Sequence, residues 1–333
     1  MTRTALVTGS AGFIGFHTCA RLLDDGWRVI GIDAMTDYYD VALKEARLAH
    51  LLPRDGFTEV RARIEVPGVL HDLFATHRPE AVIHLAAQAG VRHSIDNPES
   101  YVEANLIGTF RLLEAMRAFP PAHSLLASTS SAYGANTRMP YAENMKTDHQ
   151  MSFYAATKKA NEVMAHSYAH LYRLPVTMFR FFTVYGPWGR PDMALFKFTK
   201  AILEDRPVDV YNHGEMARDF TYVTDLVDGI VRLIAAVPGT DPVEGDSLSP
   251  VAPHRIVNIG NSTSVRLLDF IEAIEAATGR RAQKNFMDMQ PGDVPATWAE
   301  SSLLQHLTQY KPQTPVSEGV ARFVAWYRDF YET

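Results

Sequence analysis

The sequence predicts an α/β protein with a doubly wound parallel sheet and a smaller C-terminal α/β lobe. In the first half, short runs rich in Val, Ile, Leu and Phe alternate with longer segments of helical periodicity. The strand-like runs are residues 4–9, 27–33, 80–87, 123–129 and 174–181, and the clearest helical patterns cover 100–118 and 152–173. After about residue 186 the alternation weakens and Pro and Gly become more frequent. We therefore expect one domain over residues 1–185 and a lobe over 186–333, some segments of which return to the first domain.

Composition excludes several classes of protein. With 333 residues, of which 47% are apolar, the chain can bury a large core and does not depend on stabilising cross-links. Its formal net charge of −6 provides no positive field, so no nucleic-acid partner is expected. Cys19 is the only cysteine, which rules out an intrachain disulfide and fits a reducing cytoplasm. No apolar run is long enough for a signal peptide or a membrane span, so we expect a soluble, cytoplasmic protein without a membrane partner.

The stretch TGSAGFIG, residues 8–15, carries the first chemical signal. Gly9, Gly12 and Gly15 lie between the first predicted strand and the first predicted helix. Glycines at this spacing permit a tight turn and let backbone N–H groups approach a pyrophosphate at the helix start. The second strand ends at Asp33, 18 residues beyond Gly15, where a carboxylate binds an adenosine ribose and repels a 2′-phosphate. The pattern predicts a site for NAD rather than NADP, the alternative being a glycine turn without a ligand.

The stretch YAATK carries the second signal. Tyr154 and Lys158 are four residues apart in a helical pattern, so their side chains share one helix face. A free tyrosine, with a pKa of about 10, is a poor base at neutral pH, and a nearby ammonium stabilises its phenolate. Such a pair also occurs on ordinary solvated helices. The dinucleotide motif and the hydroxyl cluster STSSAYG, residues 128–134, favour the catalytic interpretation.

These stretches resemble the extended short-chain dehydrogenase/reductase family over nearly the whole chain. The matching segments are TGSAGFIGFH, HLAAQAGVRHS, STSSAYG, YAATKKANE, GPWGRPDMALFKFTKAI, DVYNHGEMARDFTYVTD and MQPGDVPATWAE. Within the family the chain is most similar to the UDP-glucuronate 4-epimerases, and GPWGRPDMA and QPGDV are the selective segments. The resemblance implies an NAD-binding Rossmann domain, a lobe that binds a UDP-sugar, and conversion of UDP-glucuronic acid to UDP-galacturonic acid through a transient 4-keto sugar.

The resemblance also implies roles for individual residues. Tyr154 would remove the proton of the sugar 4-hydroxyl, Thr129 would bridge that hydroxyl and the tyrosine, and Lys158 would lower the tyrosine pKa. The implied cofactor contacts are Gly9, Gly12, Phe13, Ile14, Gly15, Asp33, Lys44, Leu85, Ala86, Ala87, Tyr154 and Lys158. The implied substrate contacts are Arg92, Thr129, Ser130, Ser131, Tyr154, Thr183, Arg190, Arg218 and Asp293. Among these, Ser130, Thr183 and Arg190 would bind the sugar carboxylate.

Ser130 and Ser131 bear on the choice of reaction. Related 4,6-dehydratases carry an Asp-Glu pair at these positions and related decarboxylases carry a Glu, so dehydration is not expected here. A 4-keto-uronic acid is a β-keto acid, and a bidentate arginine such as Arg190 would hold its carboxylate and prevent loss of carbon dioxide. UDP-glucuronic acid decarboxylase, UDP-glucose 4-epimerase and an NAD-binding regulatory protein without chemistry remain the alternatives.

Two residues depart from the family pattern. Arg63 stands where relatives have an Asp that meets the adenine, and Ala34 stands where they have an Asn. Because neither replacement offers the same hydrogen bond, weaker retention of NAD is expected. For two of the implied site residues an ordinary surface role is the alternative: Lys44 as a solvated helix lysine and Arg218 as a partner in a surface ion pair.

Histidines, a long loop and two helices complete the expectations. The chain has thirteen histidines, with His166 and His170 four apart, but no Glu lies between them in a zinc-binding arrangement. We expect packing roles for this pair and no metal. Residues 237–254 are rich in turn formers and predict a long surface loop. By resemblance, the helices at 100–118 and 152–173 are expected to form a homodimer interface.

Overall fold

A computed structural model describes residues 2–239, 241–290 and 293–333. In these ranges the strands are β1 (Thr4–Thr8), β2 (Arg28–Asp33), β3 (Phe57–Arg61), β4 (Ala81–His84), β5 (His123–Thr129), β6 (Val176–Phe181), β7 (Thr183–Tyr185), β8 (Val208–Tyr211), β9 (Ala217–Tyr222), β10 (His254–Ile259), β11 (Ser264–Arg266), β12 (Lys284–Met287) and β13 (Ala296–Thr297). The α-helices are α1 (Phe13–Asp24), α2 (Val41–Leu51), α3 (Val69–His77), α4 (His93–Asp96), α5 (Pro98–Tyr101), α6 (Gly108–Ala118), α7 (Phe153–Tyr172), α8 (Ala194–Leu203), α9 (Val223–Leu233), α10 (Leu267–Thr278), α11 (Ser302–Thr308) and α12 (Val316–Tyr331).

The larger sheet has seven parallel strands in the order β10-β6-β5-β4-β1-β2-β3. Strands β2 and β3 are added in turn on one side of β1. The chain then crosses to the other side of β1, where β4, β5, β6 and β10 are added in turn. The predicted doubly wound parallel sheet is therefore confirmed. In such a sheet, ligands bind beyond the carboxyl ends of the strands at the point where the strand order reverses, which here lies between β1 and β4.

Helices cover both faces of this sheet, which explains why its central strands are almost wholly apolar. In β1, the side chains of Ala5 and Val7 belong to a core with α1, α9 and α11, whereas Leu6 belongs to a core with α3, α6 and α7. Successive side chains of a strand point to opposite faces, so one short apolar run serves both cores. This packing makes the strand ends a rigid platform for a site.

The smaller lobe has a four-stranded sheet of β7, β9, β11 and β13 and a separate β8–β12 pair. Its core is largely aromatic: the rings of Phe220 and Phe270 stack 3.9 Å apart, and Phe196 packs edge-on against Tyr327. Some of the chain after residue 185 lies on the larger sheet instead. Strand β10 pairs with β6 there, and α9 and α11 pack against its face.

Two segments differ in detail from the sequence expectations. The helical pattern at 100–118 is composite, because a π-helical turn over Val102–Ile107 separates α5 from α6. The expected surface loop has no regular structure over 237–239 and 241–253, yet it is fastened to the body of the protein. Asp246 forms a buried ion pair with Arg255 at 2.8 Å, and Ser249 Oγ lies 2.8 Å from His166 Nε2.

Two further points concern residues 2–239, 241–290 and 293–333. No helix there is both long and apolar enough to cross a membrane. No group of three or more His, Cys, Asp and Glu side chains there could hold a metal ion. His166 and His170 both contact the loop before β10, since His170 Nδ1 lies 2.9 Å from the carbonyl oxygen of Val251. Both histidines thus lie within hydrogen-bonding distance of this loop, and the expected packing role stays a prediction.

Candidate active site

The glycine turn lies at the carboxyl end of β1, where the strand order reverses. Gly9 has a φ of +74°, and a Cβ added there would lie only 2.9 Å from the backbone nitrogen of Ala86. A Cβ on Gly15 would collide with the carbonyl oxygen of Gly9. Helix α1 begins at Phe13, and Gly12 at its N-cap has no side chain to occupy the first free N–H groups. The turn therefore leaves an open cradle that suits a pyrophosphate.

Asp33 ends β2 and faces the same turn. Its Oδ2 accepts from the N–H of Ala11 at 3.1 Å, and Lys44 Nζ lies 4.0 Å from its Oδ1. Lys44 is only 5% exposed and donates to the carbonyl oxygen of Thr36 at 2.8 Å, so the alternative of a solvated lysine is wrong. Burial lowers the pKa of Lys44, and the Asp33 carboxylate opposes that shift. A carboxylate and a buried ammonium thus stand together at the expected ribose position.

The end of β4 is tied to the end of β1. Thr8 Oγ1 accepts from the backbone N–H groups of Leu85 and Ala86 at 3.1 and 3.0 Å, which holds the Leu85–Ala87 segment beside Gly9. Asn105, in the π-helical turn, accepts from the N–H of Gln88 at 2.8 Å and so holds the next residues of this loop. Sequence reasoning missed Asn105, because only the folded chain brings its helix to that loop.

Thr129 and Tyr154 come together from β5 and α7. Thr129 ends its strand, and its Oγ1 accepts from the N–H of Ser131 at 3.1 Å, which starts a 3₁₀ turn over Ser130–Tyr133. Ser152 caps α7, with its Oγ accepting from the N–H of Ala155 at 3.1 Å, so Tyr154 lies in the first turn. Burial raises the pKa of Tyr154, while hydrogen bonding with the Thr129 hydroxyl and the charge of Arg190 lower it.

Lys158 lies one turn beyond Tyr154 and is 2% exposed. Burial lowers its pKa to about 8, and the charge of Glu162 opposes that shift. Glu162 accepts from Arg180 Nε and Nη2, both at 2.8 Å, and from Ser128 Oγ at 2.6 Å. The first hydroxyl of the STSSAYG cluster therefore serves this buried ion pair. Sequence reasoning did not identify Glu162, although its place four residues after Lys158 on the same helix face was a usable signal.

The structure brings two of the three expected carboxylate-binding residues into one cavity. Thr183, at the start of β7, and Arg190 line one cavity together with Phe13 of the cofactor domain. The guanidinium of Arg190 is already bound in bidentate fashion, because its Nε and Nη2 donate to Asp192 at 3.0 and 2.5 Å. Tyr38 donates to the same carboxylate at 3.3 Å. Asp192 and Tyr38 were missed, although Asp192 stands within the GPWGRPD stretch.

Arg92, Arg218 and Asp293 form a second group of the predicted substrate contacts. Arg92, in the loop after β4, pairs with Asp293 at 2.9 Å and lies 4.8 Å above the ring of Tyr211. Arg218, on β9, donates to the backbone carbonyl of Val294 at 2.8 Å. The alternative of a surface ion pair for Arg218 is wrong, since its contacts are carbonyl oxygens. Burial lowers its pKa, and the charge of Asp293 opposes that shift.

Arg63 and Ala34, the two departures from the family pattern, follow β3 and β2. Arg63 is half-exposed and pairs with the carboxylates of Glu65 and Glu103, the latter at 3.4 Å. Ala34 is exposed. The expected weaker retention of NAD stays a prediction.

Known proteins share this arrangement. Residues 5–260 match the model of the NAD dependent epimerase/dehydratase family. The chain belongs to that family. It is 54% identical to the probable UDP-glucuronate 4-epimerase of Rhizobium meliloti (strain 1021), over 98% of this chain and 97% of the relative. It is 45% identical to UDP-glucuronate 4-epimerase 4 of Arabidopsis thaliana, over 98% of this chain and 76% of that one. The fold also matches a crystal structure of UDP-glucuronic acid 4-epimerase from Bacillus cereus in complex with UDP-glucuronic acid and NAD, with a TM-score of 0.89. The two sequences are 33% identical, and the match covers 98% of this chain and 100% of that chain.

Membership of the epimerase/dehydratase family makes the chain an NAD-dependent enzyme, as the sequence predicted. The residues present fit the cofactor. Side chains at Gly9 and Gly15 would fill the cradle, and Asp33 stands where a ribose-binding carboxylate is required. The expectation of a catalytic protein rather than a regulatory NAD-binding module is therefore confirmed.

Proposed function

We propose that this enzyme interconverts UDP-glucuronic acid and UDP-galacturonic acid by inverting C4 of the sugar. One observation carries the proposal: the Thr129 hydroxyl and the charge of Arg190 both lower the pKa of the Tyr154 phenol, and hydroxyls rather than carboxylates follow Thr129. The names of the Rhizobium meliloti and Arabidopsis thaliana relatives support the same substrate.

The side chains divide the proton chemistry of the reaction between them. NAD, when bound, supplies the hydride acceptor and donor for C4. The Tyr154 phenolate takes the proton of the 4-hydroxyl during oxidation, and the resulting phenol returns it after the keto sugar has turned, with the Thr129 hydroxyl as relay. The charge of Arg190 lowers the pKa of Tyr154 and favours the phenolate, and we assign the same effect to Lys158, one turn further along α7. Arg190 adds a contribution that sequence reasoning had assigned to Lys158 alone.

The carboxylate of the sugar is bound by Arg190 with the hydroxyls of Ser130, Ser131 and Thr183. Asp192 holds Nε and Nη2 of the guanidinium, so the orientation of Arg190 is set before the substrate arrives. A carboxylate held in one orientation keeps its C–C bond out of line with the ketone, which suppresses decarboxylation. The hydroxyls bind without donating a proton to C5, which is the proton transfer that would complete decarboxylation.

The nucleotide part of the substrate would lie at the other end of the cleft. We assign Arg218 and Asp293 to the diphosphate and ribose, with Arg92 at the cleft entrance. In this assignment residues 1–185 form the NAD-binding domain, and residues 186–333 mainly form the substrate lobe, with β10 completing the first domain.

A proton NMR time course tests the proposal. Purified protein with UDP-glucuronic acid and NAD should produce the anomeric signals of UDP-galacturonic acid until a steady ratio is reached. Signals of a UDP-pentose would identify the decarboxylase alternative. Turnover of UDP-glucose with UDP-glucuronic acid left unchanged would identify the UDP-glucose 4-epimerase alternative, and inert mixtures of both sugars would contradict all three enzymes.

We also propose that two copies pair through α6 and α7. These helices pack side by side and expose large apolar side chains, among them Phe110 at 39%, Val163 at 60% and Leu171 at 63%. Exposed apolar residues grouped on neighbouring helices are typical of a protein interface. Sedimentation velocity should show a dimer that Val163→Glu and Leu171→Glu convert to monomers, whereas Leu52→Glu, directly after α2, should leave it intact. A monomeric wild-type protein would contradict the proposal.

A further inference from the structure

A buried arginine outside the residues assigned so far links the glycine turn to the segment before Arg190. Arg47, on α2, is 0% exposed. Its Nη1 donates to the carbonyl oxygen of Ala11 at 2.9 Å and to Tyr39 Oη at 2.8 Å, and its Nη2 donates to the carbonyl oxygen of Trp188 at 2.6 Å. These acceptors are neutral oxygens. A buried cation paired only with neutral groups is costly, so its contacts require an explanation.

One end of the link fixes the dinucleotide turn. Ala11 lies between Gly9 and Gly12, and its peptide groups are held from two sides. Its N–H donates to Asp33 Oδ2 at 3.1 Å, while its carbonyl oxygen accepts from Arg47. The orientation of the turn, and with it the direction of the N–H groups that meet the pyrophosphate, therefore depends on Arg47.

The other end fixes the segment that carries Arg190. Trp188 has a φ of +63°, a left-handed conformation that a residue with a large side chain rarely adopts. Its carbonyl oxygen accepts from Arg47, and the carbonyl oxygen of Gly189 lies 3.4 Å from the same Nη2. Nearby, His17 Nε2 lies 2.9 Å from the carbonyl oxygen of Pro187. Arg190 follows directly, so its backbone position is set by these contacts.

We propose that Arg47 is a positioning residue that couples the NAD turn to the carboxylate-binding Arg190, a role that rests on the proposed function of this site. One guanidinium presents separate amino groups to the two segments. A lysine keeps the charge but has a single ammonium, and therefore cannot hold both segments with the same geometry. Displacement of a binding group by about 1 Å costs up to about a hundredfold in activity.

A double-mutant cycle with Arg190 tests the coupling. Arg47→Lys should raise the Kd for NAD and, at saturating NAD, raise the KM for UDP-glucuronic acid between about tenfold and about a hundredfold. In the Arg190→Ala background the same change should leave that KM unaltered, because the contact through which Arg47 acts is already lost. The rise in the NAD Kd should persist in both backgrounds. Equal effects on KM in the two backgrounds would overturn the proposal, since they indicate a general structural role.

Controls keep the test decisive. Arg61→Lys makes the same replacement at a half-exposed arginine of β3 and should change neither constant. If circular dichroism shows that Arg47→Lys does not fold, Tyr39→Phe replaces it. This change removes one acceptor of Arg47 and should shift both constants in the same direction by less. A wild-type enzyme that leaves UDP-glucuronic acid unchanged would refute the proposed function. The double-mutant cycle would then be measured by calorimetric binding of UDP-glucuronic acid instead of by KM. Absence of coupling in those binding constants would overturn the role of Arg47 separately.

Discussion

Replacing Glu162 by glutamine tests the buried ion pair that joins α7 to β6. The carboxylate is 2% exposed and its partner Arg180 is 1% exposed, and two hydrogen bonds of 2.8 Å join them. Glutamine has nearly the same shape but no charge, so Arg180 would keep a buried charge without a counter-ion. Removing one partner of a buried pair costs about 3 to 5 kcal/mol.

The pKa of Glu162 leads to a similar free energy. Burial raises this pKa, but the hydrogen bonds and charge of Arg180 outweigh burial and lower it from 4.5 to about 2. A shift of that size corresponds to about 3 kcal/mol of stability at neutral pH. Because the folded pKa lies below the unfolded one, this stability is complete above about pH 4.5 and is lost as the pH falls toward about 2. The unfolding entropy is about 2 cal/mol/K per residue, so the whole chain of 333 residues has an unfolding entropy of ~0.7 kcal/mol/K. Dividing the loss of about 3 kcal/mol by this entropy predicts that Tm falls by about 4 °C.

Scanning calorimetry at pH 7 measures this change. The matched control is Glu318→Gln, which breaks an exposed pair with Arg322 on α12 and should lower Tm by about 1 °C or less. The gap between Glu162→Gln and wild type should narrow at pH 4, because the wild-type carboxylate then contributes less. A Glu162→Gln midpoint within 1 °C of wild type at pH 7 would refute the reasoning about the buried pair.

The same variant has a kinetic signature at Lys158. Burial lowers the pKa of this lysine to about 8, and the Glu162 carboxylate supports its ammonium form. The ammonium is lost as the pH rises through that pKa, so turnover of UDP-glucuronic acid should fall on the alkaline side. Removing the Glu162 charge should move this alkaline fall to lower pH. An unchanged pH profile in the variant would show that Lys158 does not depend on Glu162.

Three further changes address the site directly. Tyr154→Phe removes the proton acceptor, so epimerisation followed by NMR should nearly vanish while NAD remains bound; retained turnover would remove Tyr154 from its assigned role. Arg190→Ala should raise the KM for UDP-glucuronic acid and release a UDP-pentose, and unchanged uronate kinetics would contradict the carboxylate assignment. Gly15→Ala should abolish NAD binding in a fluorescence titration, because its Cβ would collide with the Gly9 carbonyl oxygen, and full affinity would refute the close-packed turn.

Local patterns allowed the core of the fold to be predicted. The apolar runs that became β1, β4, β5 and β6 are buried on both faces, and such strands leave a continuous signal in the sequence. Strands β3 and β10 escaped for identifiable reasons. Strand β3 is a half-exposed edge, and β10, HRIVNI, buries polar side chains. Arg255 is buried because it pairs with Asp246, and Asn258 is buried because it accepts from Tyr133 Oη at 2.7 Å, a partner 125 residues away.

The candidate site shows the same division. The glycine turn and the Tyr154–Lys158 pair are local in sequence, so their spacing alone indicates a geometry. The partners that set the charge balance are distant: Arg92 meets Asp293 across 201 residues, and Tyr38 meets Asp192 across 154. Only the topology of two lobes closing on one sheet edge brings such pairs together. Sequence motifs therefore predicted the candidate reacting groups, but not the distant partners of the charged side chains around them.

The proposed assignments give Arg190 a part in both substrate selection and proton transfer. Arg190 lowers the pKa of Tyr154 and is also the group assigned to the sugar carboxylate. Asp192 already shares its charge, so the arriving carboxylate adds a second anion beside one guanidinium. The effect of Arg190 on the phenol must then weaken in the substrate complex, because two carboxylates screen it. Lys158 is a second cation, buried one turn from Tyr154 and supported by the charge of Glu162. A substrate carboxylate bound to Arg190 does not screen this second charge. We therefore expect Lys158, whose ammonium form the charge of Glu162 favours, to support the phenolate once a uronate is bound.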